Sequence, residues 1–430
     1  MITTKEDIIQ YFQRGIKNKD NFKIGVEHEK FIFNKSRKRA DFQTINKIFD
    51  LLKNFGWRPI FEENNIIALK KKDCQITLEP GNQIELSGAR LNNIHEVCKE
   101  AHDYIYDLKQ INSELNLKII SLGFDPISKL KEIPGNPKKR YEIMTKEMPK
   151  KGKLSLDMMY RTCGTQINLD YYSEEDFTKK FKLCSYLVPL SIALFANSPI
   201  VEKKNSNFYS YRSRVWQKTA RGGLPIEFLD NMDFEQYAKF VMKFPILFIQ
   251  KKNNYIEVDS KNFEDFMNGR LDEINNELPD ETDLSIHLST IFTENRLKQY
   301  IEIRSIDTCD WDCLCNAPAF YVGLLYNNLD ESLDIISKWG KKNLLNAYAD
   351  APKRGFRTEL GGKNIGEWSK IFLNLSKKGL EKRNQLNKSK KNETIYLNYL
   401  NQILNSNQTN ADVMLSKFKE DKDLNYLYEN

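Results

Sequence analysis

Two segments of the chain place pairs of glutamates at the spacing of a β-strand. In GVEHEKF, Glu27 and Glu29 point to one side of a strand, because alternate side chains share a face. In TLEPGNQIEL, Glu79 and Glu85 flank a Pro-Gly-Asn turn sequence that can fold the chain back and bring both carboxylates to the same face. One such strand alone is more often a solvated edge. Together the two segments predict a site for Mg²⁺, which prefers a few carboxylates plus phosphate oxygens.

A third segment, MMYRTCGTQINLDY, alternates polar and apolar residues. Gln166 and Asn168 fall on one face, and Ile167 and Leu169 fall on the other. The amide groups could ligate a metal or position a substrate, and a polar face turned to solvent fits the pattern equally well. Both interpretations stay open at this stage.

The fourth segment, RLKQYIEIR, is the most informative, and we interpret it as a single strand. Its apolar residues share one face, while the opposite face carries Arg296, Lys298, Tyr300, Glu302 and Arg304. An exposed strand can look like this. Cations around one carboxylate also suit a triphosphate and its metal, since arginine makes two-pronged contacts to phosphate oxygens. We therefore favour ATP binding.

A cluster of arginines lies in YRSRVWQKTARGG, which we interpret as a loop. Two glycines lie close in sequence to Arg212, Arg214, Trp216 and Arg221. These side chains could bind a carboxylate. Arginines stacked on aromatic rings also occur on ordinary surfaces. By itself the cluster is weak evidence for a site.

Several other chemistries lack support in the sequence. No glycine-rich phosphate loop follows any of the predicted strands, so ATP must be held in another way. The four histidines form no local motif with a serine or cysteine nucleophile. Cys313 and Cys315 have no second closely spaced pair, which argues against zinc.

The elements that position these residues predict an α+β fold. Helical periodicity covers 41–56, 94–115 and the tail around Trp368, and strand patterns cover 23–33, 75–86, 158–170 and 298–304. Helices mixed with strands in this way favour an antiparallel sheet over a doubly wound parallel one. No repeat or linker divides the chain. We therefore expect a single catalytic domain over residues 1–430, with a helical C-terminal part.

Composition is that of a globular protein, with 40% apolar and 29% charged residues. The net charge of +7 comes from scattered runs such as residues 138–140, which we interpret as solvated surface, and no nucleic-acid-binding module is visible. The longest apolar stretch, 185–196, is too short for a membrane span and predicts a buried helix. Seven irregularly spaced cysteines and no apparent signal peptide predict a reducing compartment, which we take to be the cytoplasm.

Six ordered segments resemble the plant and proteobacterial type of glutamate–cysteine ligase. They are GVEHEKF, LEPGNQIELSGA, LDMMYRTCGTQINLD, LFANSPI, RSRVW and RLKQYIEIR. The resemblance implies a glutamine-synthetase-like carboxylate–amine ligase fold, with a curved antiparallel sheet flanked by helices. It also implies an ATP-dependent reaction that joins the γ-carboxylate of glutamate to the amine of cysteine through γ-glutamyl phosphate, the first step of glutathione synthesis.

The resemblance implies roles for the glutamates, Gln166, Arg212, Trp216 and Arg304, and the segment patterns add the other cations and Tyr300. The predicted ligands of Mg²⁺, the cofactor, are Glu27, Glu29, Glu79, Glu85, Gln166 and Glu302. The predicted ATP-binding residues are Arg296, Lys298, Tyr300 and Arg304. The predicted substrate-binding residues are Arg161, Arg212, Trp216 and Arg221, and Arg304 and Arg212 are also predicted to be catalytic. The partners are then glutamate, cysteine and ATP, without nucleic acid or membrane, in a monomer or weak homodimer.

Cys98 and Cys315 match the positions of one regulatory disulfide of the plant members. Val258 and Glu273 stand at the positions of the second pair, so that second disulfide does not carry over. A bridge between Cys98 and Cys315 stays open, alongside the free buried thiols that are the default in a reducing compartment.

Two alternatives to this function remain open. The chain could be a related ligase that joins glutamate to a different amine, or a non-catalytic relative that senses an amino acid or nucleotide. Magnesium-dependent ADP release distinguishes the sensor from the ligases, and the required amine distinguishes the ligases from each other.

Overall fold

The computed structural model describes residues 1–251 and 254–428, except for the side chain of Asp312. The α-helices within those residues are α1 (Lys5–Gln13), α2 (Phe42–Leu52), α3 (Ile94–Leu115), α4 (Lys139–Lys151), α5 (Ser155–Arg161), α6 (Glu174–Leu194), α7 (Tyr211–Trp216), α8 (Phe234–Lys243), α9 (Phe263–Met267), α10 (Glu281–Ser289), α11 (Trp311–Leu314), α12 (Asn316–Asn327), α13 (Leu329–Ile336), α14 (Lys341–Arg354), α15 (Ile365–Arg383), α16 (Asn398–Ser406) and α17 (Asn410–Glu420). Short 3₁₀ segments lie at Lys19–Asn21, Lys53–Phe55, Leu130–Glu132, Ile226–Leu229, Asp272–Ile274, Gly355–Arg357, Glu393–Leu397 and Asn425–Leu427.

The strands of the described residues form one large sheet and several two-stranded ribbons. The strands of the large sheet are β1 (Ile24–Phe33), β2 (Arg58–Glu62), β3 (Asn65–Lys71), β4 (Cys74–Leu78), β5 (Ile84–Ser87), β6 (Lys118–Ile120), β7 (Gly164–Leu169), β14 (Asn295–Leu297) and β15 (Ile301–Asp307). The ribbons comprise β8 (Ile200–Val201), β9 (Lys204–Asn205), β10 (Gly222–Gly223), β11 (Phe248–Lys251), β12 (Asn254–Glu257), β13 (Phe292–Thr293), β16 (Glu359–Leu360) and β17 (Lys363–Asn364).

The large sheet is antiparallel throughout its described pairings. Its strand order is β14-β15-β7-β1-β5-β4-β3-β2, and β6 pairs with the end of β1. Strands that lie far apart in the sequence are therefore neighbours at the centre of the sheet. This order brings the four polar segments together.

Helices cover the sheet and bury its apolar side chains. Ile167 and Ile303 pack with α6, α12 and α15 in the largest core cluster. Leu78 and Leu86 pack with α2 and α3 in a second cluster. Helix α3 begins after Asn93. The Asn93 side chain accepts a hydrogen bond from the backbone amide of Glu96, which satisfies one of the free N–H groups of the first turn. The apolar side of each strand is thus fixed in the core, and the alternating polar side chains point the other way.

The predicted α+β antiparallel architecture is confirmed, and most predicted elements lie where the sequence placed them. The predicted strand at 23–33, the helix at 94–115 and the turn between Glu79 and Glu85 are all present. The stretch 185–196 belongs largely to the buried helix α6. No helix among the described residues is both long enough and apolar enough to cross a membrane.

Three local expectations are wrong. Residues 158–170 are not one strand, since α5 ends at Arg161 and β7 begins at Gly164. The RLKQYIEIR segment is a hairpin of β14 and β15, closed where the Lys298 amide donates to the Tyr300 carbonyl over 2.9 Å. The RSRVW segment belongs to helix α7 and is not a loop. The Ser210 side chain caps this helix, because it accepts a hydrogen bond from the backbone amide of Ser213.

Two disulfides crosslink the structure. Cys98 of α3 is bonded to Cys315, with Cα atoms 5.8 Å apart, and Cys309 is bonded to Cys313, with Cα atoms 5.9 Å apart. The Cys98–Cys315 bridge that the sequence left open is therefore present, and the Cys309–Cys313 bridge was not expected. Cys74, Cys163 and Cys184 are free thiols.

Candidate active site

Strand register brings the acidic residues of distant segments face to face. Glu29 on β1 is directly opposite Glu85 on β5. On the other side of β1, Glu27 is opposite Gln166 of β7. Directly paired residues of antiparallel strands have side chains within reach of each other. The local alternation within each strand thus becomes a continuous polar surface across the sheet.

Neighbouring amides hold two of these carboxylates in place. Asn168 Nδ2 donates to Glu27 Oε1 over 2.8 Å. The amide of Gly164 donates to Glu29 Oε2 over 2.7 Å, and Gln166 Nε2 donates to Glu29 Oε1 over 3.3 Å. Gln166 and Asn168 therefore orient carboxylates in this structure, which favours a binding role over a polar face turned to solvent.

Glu27, Glu29, Glu79 and Glu85 form what we call the acidic end of the site. Burial, followed by the charges of Glu27, Glu79 and Glu29, raises the pKa of Glu85 well above its ordinary value. Burial and the charge of Glu79 raise the pKa of Glu29 to about 7. The neighbouring carboxylates thus disfavour the ionised forms of Glu29 and Glu85, and a bound cation would relieve the repulsion.

Arg296, Lys298 and Arg304 surround Glu302 at what we call the basic end. Arg296 Nη2 lies 2.7 Å from Glu302 Oε1, Lys298 Nζ lies 3.2 Å from Oε2, and Arg304 also pairs with Oε1. Glu302 is fully buried. Burial alone would raise its pKa, but the three cations outweigh burial and hold the pKa of Glu302 well below its ordinary value.

Both ends border one cavity of about 320 Å³. The predicted site residues that line it are Glu27, Glu29, Glu79, Glu85, Gln166, Trp216, Arg296, Lys298 and Arg304. Several buried donors around this cavity have no partner among the described residues: Nε of Arg304, Nε of Arg140 and Nε1 of Trp216. Buried polar groups are normally hydrogen-bonded. Unpaired donors along one cavity are therefore consistent with a polar ligand.

Arg212 is buried behind the cavity wall and is fixed by backbone and ring contacts. Its Nη2 donates to the carbonyl of Arg304 over 2.9 Å. The guanidinium groups of Arg212 and Arg304 both lie over the Trp216 ring, at 5.2 and 5.4 Å from its centroid. The geometry makes Arg212 a support for Arg304 and Trp216.

Glu302 and Arg212 do not line the cavity, and neither do three further predicted residues. Arg161 pairs with Asp157 over 3.0 Å and with Glu202 over 3.2 Å. Arg221 donates to the backbone carbonyls of Thr290 and Pro245. The third residue, Tyr300, lies beside the hairpin turn and accepts a hydrogen bond from Lys298 over 3.4 Å.

Sequence reasoning missed two cations of the cavity. The run at 138–140 is not a solvated surface, since Lys138 and Arg140 both line the cavity. Lys138 Nζ donates to the carbonyl of Leu78 over 2.9 Å, and burial together with the charge of Arg140 lowers the pKa of Lys138 to about 7. Arg140 Nη2 donates to the Tyr141 hydroxyl over 2.7 Å. The only signal in the sequence was Tyr141 directly after the basic run.

The donor set of the acidic end fits magnesium. Carboxylate oxygens are the hard ligands that Mg²⁺ prefers, and their mutual repulsion is the electrostatic condition that a divalent cation relieves. No group of three His, Cys, Asp or Glu side chains within the described residues already has metal-binding geometry. Mg²⁺ commonly takes only one or two carboxylates together with phosphates and water, so such a group is not required.

Comparison with known proteins agrees with this geometry. Residues 23–429 match the family model described as glutamate-cysteine ligase family 2. The chain is 39% identical over 423 residues to glutamate–cysteine ligase B, chloroplastic, of rice, covering 97% of this chain and 84% of the rice protein. It is 38% identical over 422 residues to the chloroplastic enzyme of Arabidopsis thaliana, covering 96% of this chain and 80% of that protein.

A solved structure of a glutamate–cysteine ligase from Francisella tularensis, in complex with AMP, has a similar fold. Its TM-score is 0.57 at 12% identity, and the match covers 96% of this chain and 88% of that one. At this low identity the likeness supports the fold alone. That fold is the predicted α+β ligase fold.

The comparisons also correct one expectation and settle the family. The cytoplasmic localisation expected from cysteine usage is wrong, because the similar plant enzymes are chloroplastic. Cysteine usage separates reducing from oxidising compartments but cannot separate one reducing compartment from another. The family match over residues 23–429 and the 39% identity confirm the resemblance. The chain therefore belongs to the glutamate–cysteine ligase family, the ATP-dependent enzymes that join glutamate to cysteine.

Proposed function

We propose that the cavity joins glutamate to cysteine in two steps through γ-glutamyl phosphate. In the first step a γ-carboxylate oxygen of glutamate attacks the γ-phosphorus of ATP, and ADP leaves. In the second step the amine of cysteine attacks the acyl carbon, phosphate leaves, and the nitrogen loses a proton. The observation that carries the proposal is the division of one cavity into an acidic end and a basic end.

The acidic end is the proposed magnesium site. Its proposed ligands are Glu27, Glu29, Glu79, Glu85 and Gln166, which line the cavity, and Glu302 of the basic end, which does not. Bound Mg²⁺ would supply neutralisation of the phosphate charge, which phosphoryl transfer needs more than it needs a protein nucleophile. Asn168 and the Gly164 amide hold Glu27 and Glu29 in orientation for this role.

The basic end is the proposed phosphate site. Arg296, Lys298 and Arg304 now pair with Glu302, and a triphosphate would compete for the same donors. Transfer of these cations to phosphate oxygens would free the Glu302 carboxylate to act as a metal ligand. Tyr300 is proposed to contribute through Lys298, because its hydroxyl accepts from that side chain. Glu302 would thus exchange its three cations for a metal ion, and its buried carboxylate would never lack a positively charged partner.

The amino-acid substrates are proposed to bind beside Trp216. Arg304 is the proposed catalytic cation, and Arg212 positions it by binding its carbonyl oxygen. Arg140 is the better candidate for a substrate carboxylate than Arg161 or Arg221, because it lines the cavity and its Nε has no partner within the described residues. Arg161 and Arg221 are proposed to support the surrounding structure.

The partners follow from the same cavity. Glutamate, cysteine, ATP and Mg²⁺ account for its charges, and neither nucleic acid nor a membrane is needed. A monomer or weak homodimer is the proposed assembly, and sedimentation at graded protein concentrations tests it.

ADP release by the purified protein tests the reaction. With Mg²⁺, ATP and glutamate present, release should depend strongly on cysteine, and mass spectrometry should detect γ-glutamylcysteine. Replacing cysteine with hydroxylamine should trap the acyl phosphate as γ-glutamyl hydroxamate. Turnover with another amine but not with cysteine would contradict the proposed substrate. Absence of hydroxamate under conditions that support normal turnover would contradict the intermediate.

A further inference from the structure

Asp307, at the end of β15, is a buried carboxylate that the proposed reaction does not use. It is 2% exposed and does not line the active-site cavity. Its Oδ2 accepts hydrogen bonds from the Asn197 amide over 2.9 Å and from the Ser198 hydroxyl over 2.6 Å. Its Oδ1 accepts one from the Ser210 hydroxyl over 2.9 Å. The carboxylate therefore joins the segments on either side of the β8–β9 ribbon to the end of β15.

A β-bulge places Asp307 on the same face of the sheet as the residues of the basic end. The register of β15 against β7 shifts by one residue after Ile303. Without the shift, Glu302 and Asp307 would point to opposite faces, because they are an odd number of positions apart. With it, Asp307 pairs with Gly164. Glu302 pairs with Asn168, and Asn168 and Gly164 lie on one face of β7. Bulges often redirect a side chain next to an active site in this way.

Gly164 leaves room for the Arg212 guanidinium beside Asp307. A methyl group on Gly164 would lie 2.5 Å from Arg212 Nη2, which is closer than packed atoms come. Burial raises the pKa of Asp307, and the charge of Arg212 makes the largest contribution that opposes this rise. The bulge, the missing side chain and the buried carboxylate together define one place for the Arg212 guanidinium.

The same carboxylate anchors the helix that carries Arg212. Ser210 is the N-cap of α7, and its hydroxyl donates to Asp307 because an ionised carboxylate only accepts. The Ser198 hydroxyl also donates to Asp307, and it accepts the amide of Arg212 over 3.2 Å. Asp307 therefore holds the first turn of α7 through two serines.

Arg212 connects this anchor to the active site. Its Nη2 donates to the Arg304 carbonyl over 2.9 Å, and both guanidinium groups lie over the Trp216 ring. Arg304 and Trp216 line the active-site cavity. Trp216 belongs to α7 and Arg304 belongs to β15, so a shift of the helix relative to the strand would change the distance between these two side chains.

We propose that Asp307 is a positioning residue of the ligase reaction, which holds α7 and Arg212 against β15 and thereby fixes Arg304 relative to Trp216. The inference rests on the proposed function, in which Arg304 is the catalytic cation and Trp216 borders the amino-acid site. A displacement of about 1 Å can lower a rate about a hundredfold even when the substitution lies far from the reacting atoms.

Asp307→Asn tests the proposal. The amide keeps the shape of the side chain and one acceptor oxygen, but it removes the charge that faces Arg212. We expect kcat to fall at least about tenfold, because the reacting groups are no longer held in register. The KM for ATP should change by less than about twofold, since Arg296 and Lys298 still line the phosphate site. An unchanged kcat would overturn the proposal.

Asp176→Asn is the matched control for loss of a buried carboxylate. Asp176 is 4% exposed and lies outside the cavity. It accepts the Tyr172 amide over 3.0 Å and pairs with Lys180 over 2.8 Å. The control should lower the melting temperature but keep kcat at temperatures well below unfolding. Equal losses of kcat in the two variants would show a general effect on stability and would overturn the positioning role.

A double-mutant cycle tests whether Asp307 acts through Arg212. Arg212→Lys keeps a charge but removes the guanidinium from the Trp216 ring, and we expect it to lower kcat by itself. Adding Asp307→Asn should then lower kcat by no more than about twofold, because both substitutions break the same connection. Full multiplication of the two single effects would contradict action through Arg212.

Ser198→Ala is a milder variant for the case in which the others do not fold. It removes only the hydroxyl between Asp307 and the Arg212 amide. We expect kcat to fall several-fold with little change in the melting temperature, and an unchanged kcat would overturn the proposal.

ADP release with glutamate and cysteine measures each kcat as a ratio to the original protein. If the original protein forms no γ-glutamylcysteine but releases ADP with another amine, the proposed substrate is wrong, and the same ratios measured with that amine still test Asp307. Formation of γ-glutamylcysteine by the original protein, with equal kcat in Asp307→Asn, would overturn the positioning role alone.

Discussion

Each end of the active-site cavity has a buried carboxylate, Glu85 or Glu302, and the two carboxylates are compensated differently. Glu302 at the basic end contacts three cations, and its pKa is held low. Glu85 at the acidic end has three other carboxylates as its main electrostatic neighbours, and its pKa is raised. Burial raises the pKa of both carboxylates, so the number of counter-charges decides the difference between the two ends. This difference supports the proposal that the acidic end binds a cation and that the basic end exchanges its cations with an anion.

The largest expected effect is at the acidic end. Glu27→Gln keeps the size of the side chain and leaves an oxygen for Asn168, but it removes a proposed metal ligand. We expect turnover to fall on the order of a thousandfold, because electrostatic stabilisation is usually the largest catalytic contribution. Steady-state kinetics measures the loss, and an unchanged melting temperature shows that the fold is intact. Near-normal activity would remove Glu27 from the metal site.

Removing one cation from the basic end should lower the free energy of unfolding as well as the activity. Arg296→Met leaves fully buried Glu302 with two of its three cations. Removing one partner of a buried ion pair typically costs 3–5 kcal/mol, and the two remaining cations place the expected loss at about 3 kcal/mol. Urea denaturation measures it. The double variant Arg296→Met/Glu302→Gln should recover part of the loss, and a double variant that is less stable than the single one would contradict this reasoning.

Arg161 lies outside the active-site cavity, so replacing it should affect stability and leave substrate binding unchanged. Arg161→Met should leave the KM values for glutamate, cysteine and ATP unchanged, because Arg161 does not line the active site. It should lower the free energy of unfolding by about 2 kcal/mol, since the mostly buried Asp157 loses its charged partner. Kinetics and urea denaturation separate the two effects. A large rise in the KM for glutamate would return Arg161 to the substrate site.

The smallest expected effect concerns the electrostatic repulsion among the carboxylates of the acidic end. Because the folded protein raises the pKa of Glu85, its ionised form destabilises the fold near neutral pH. Glu85→Gln should therefore raise the melting temperature in magnesium-free buffer by roughly 1 °C, equivalent to about 1 kcal/mol for a chain of 430 residues. Added MgCl₂ should then raise the melting temperature of the variant less than that of the original protein. A lower melting temperature without magnesium would show that the carboxylates are not in net repulsion.

The sequence by itself determined the strands and helices with strong local patterns and the face to which their polar residues point. Alternation in β1 placed Glu27 and Glu29 together because a strand turns every second side chain to the same side. The sequence also determined the ligase family through segments whose order is preserved along the chain. Elements were misassigned at the hairpin of β14 and β15, where a continuous strand pattern hides a turn.

Only the tertiary structure decided which distant residues meet. The sheet order puts β15, β7, β1 and β5 side by side, so Glu302 meets Asn168 and Glu29 meets Glu85 across strands far apart in the sequence. The same packing turned an apparently solvated basic run into part of the cavity, through Lys138. Burial and the pairing of charges depend on all the elements that surround a side chain. A local sequence pattern records only its own strand or helix.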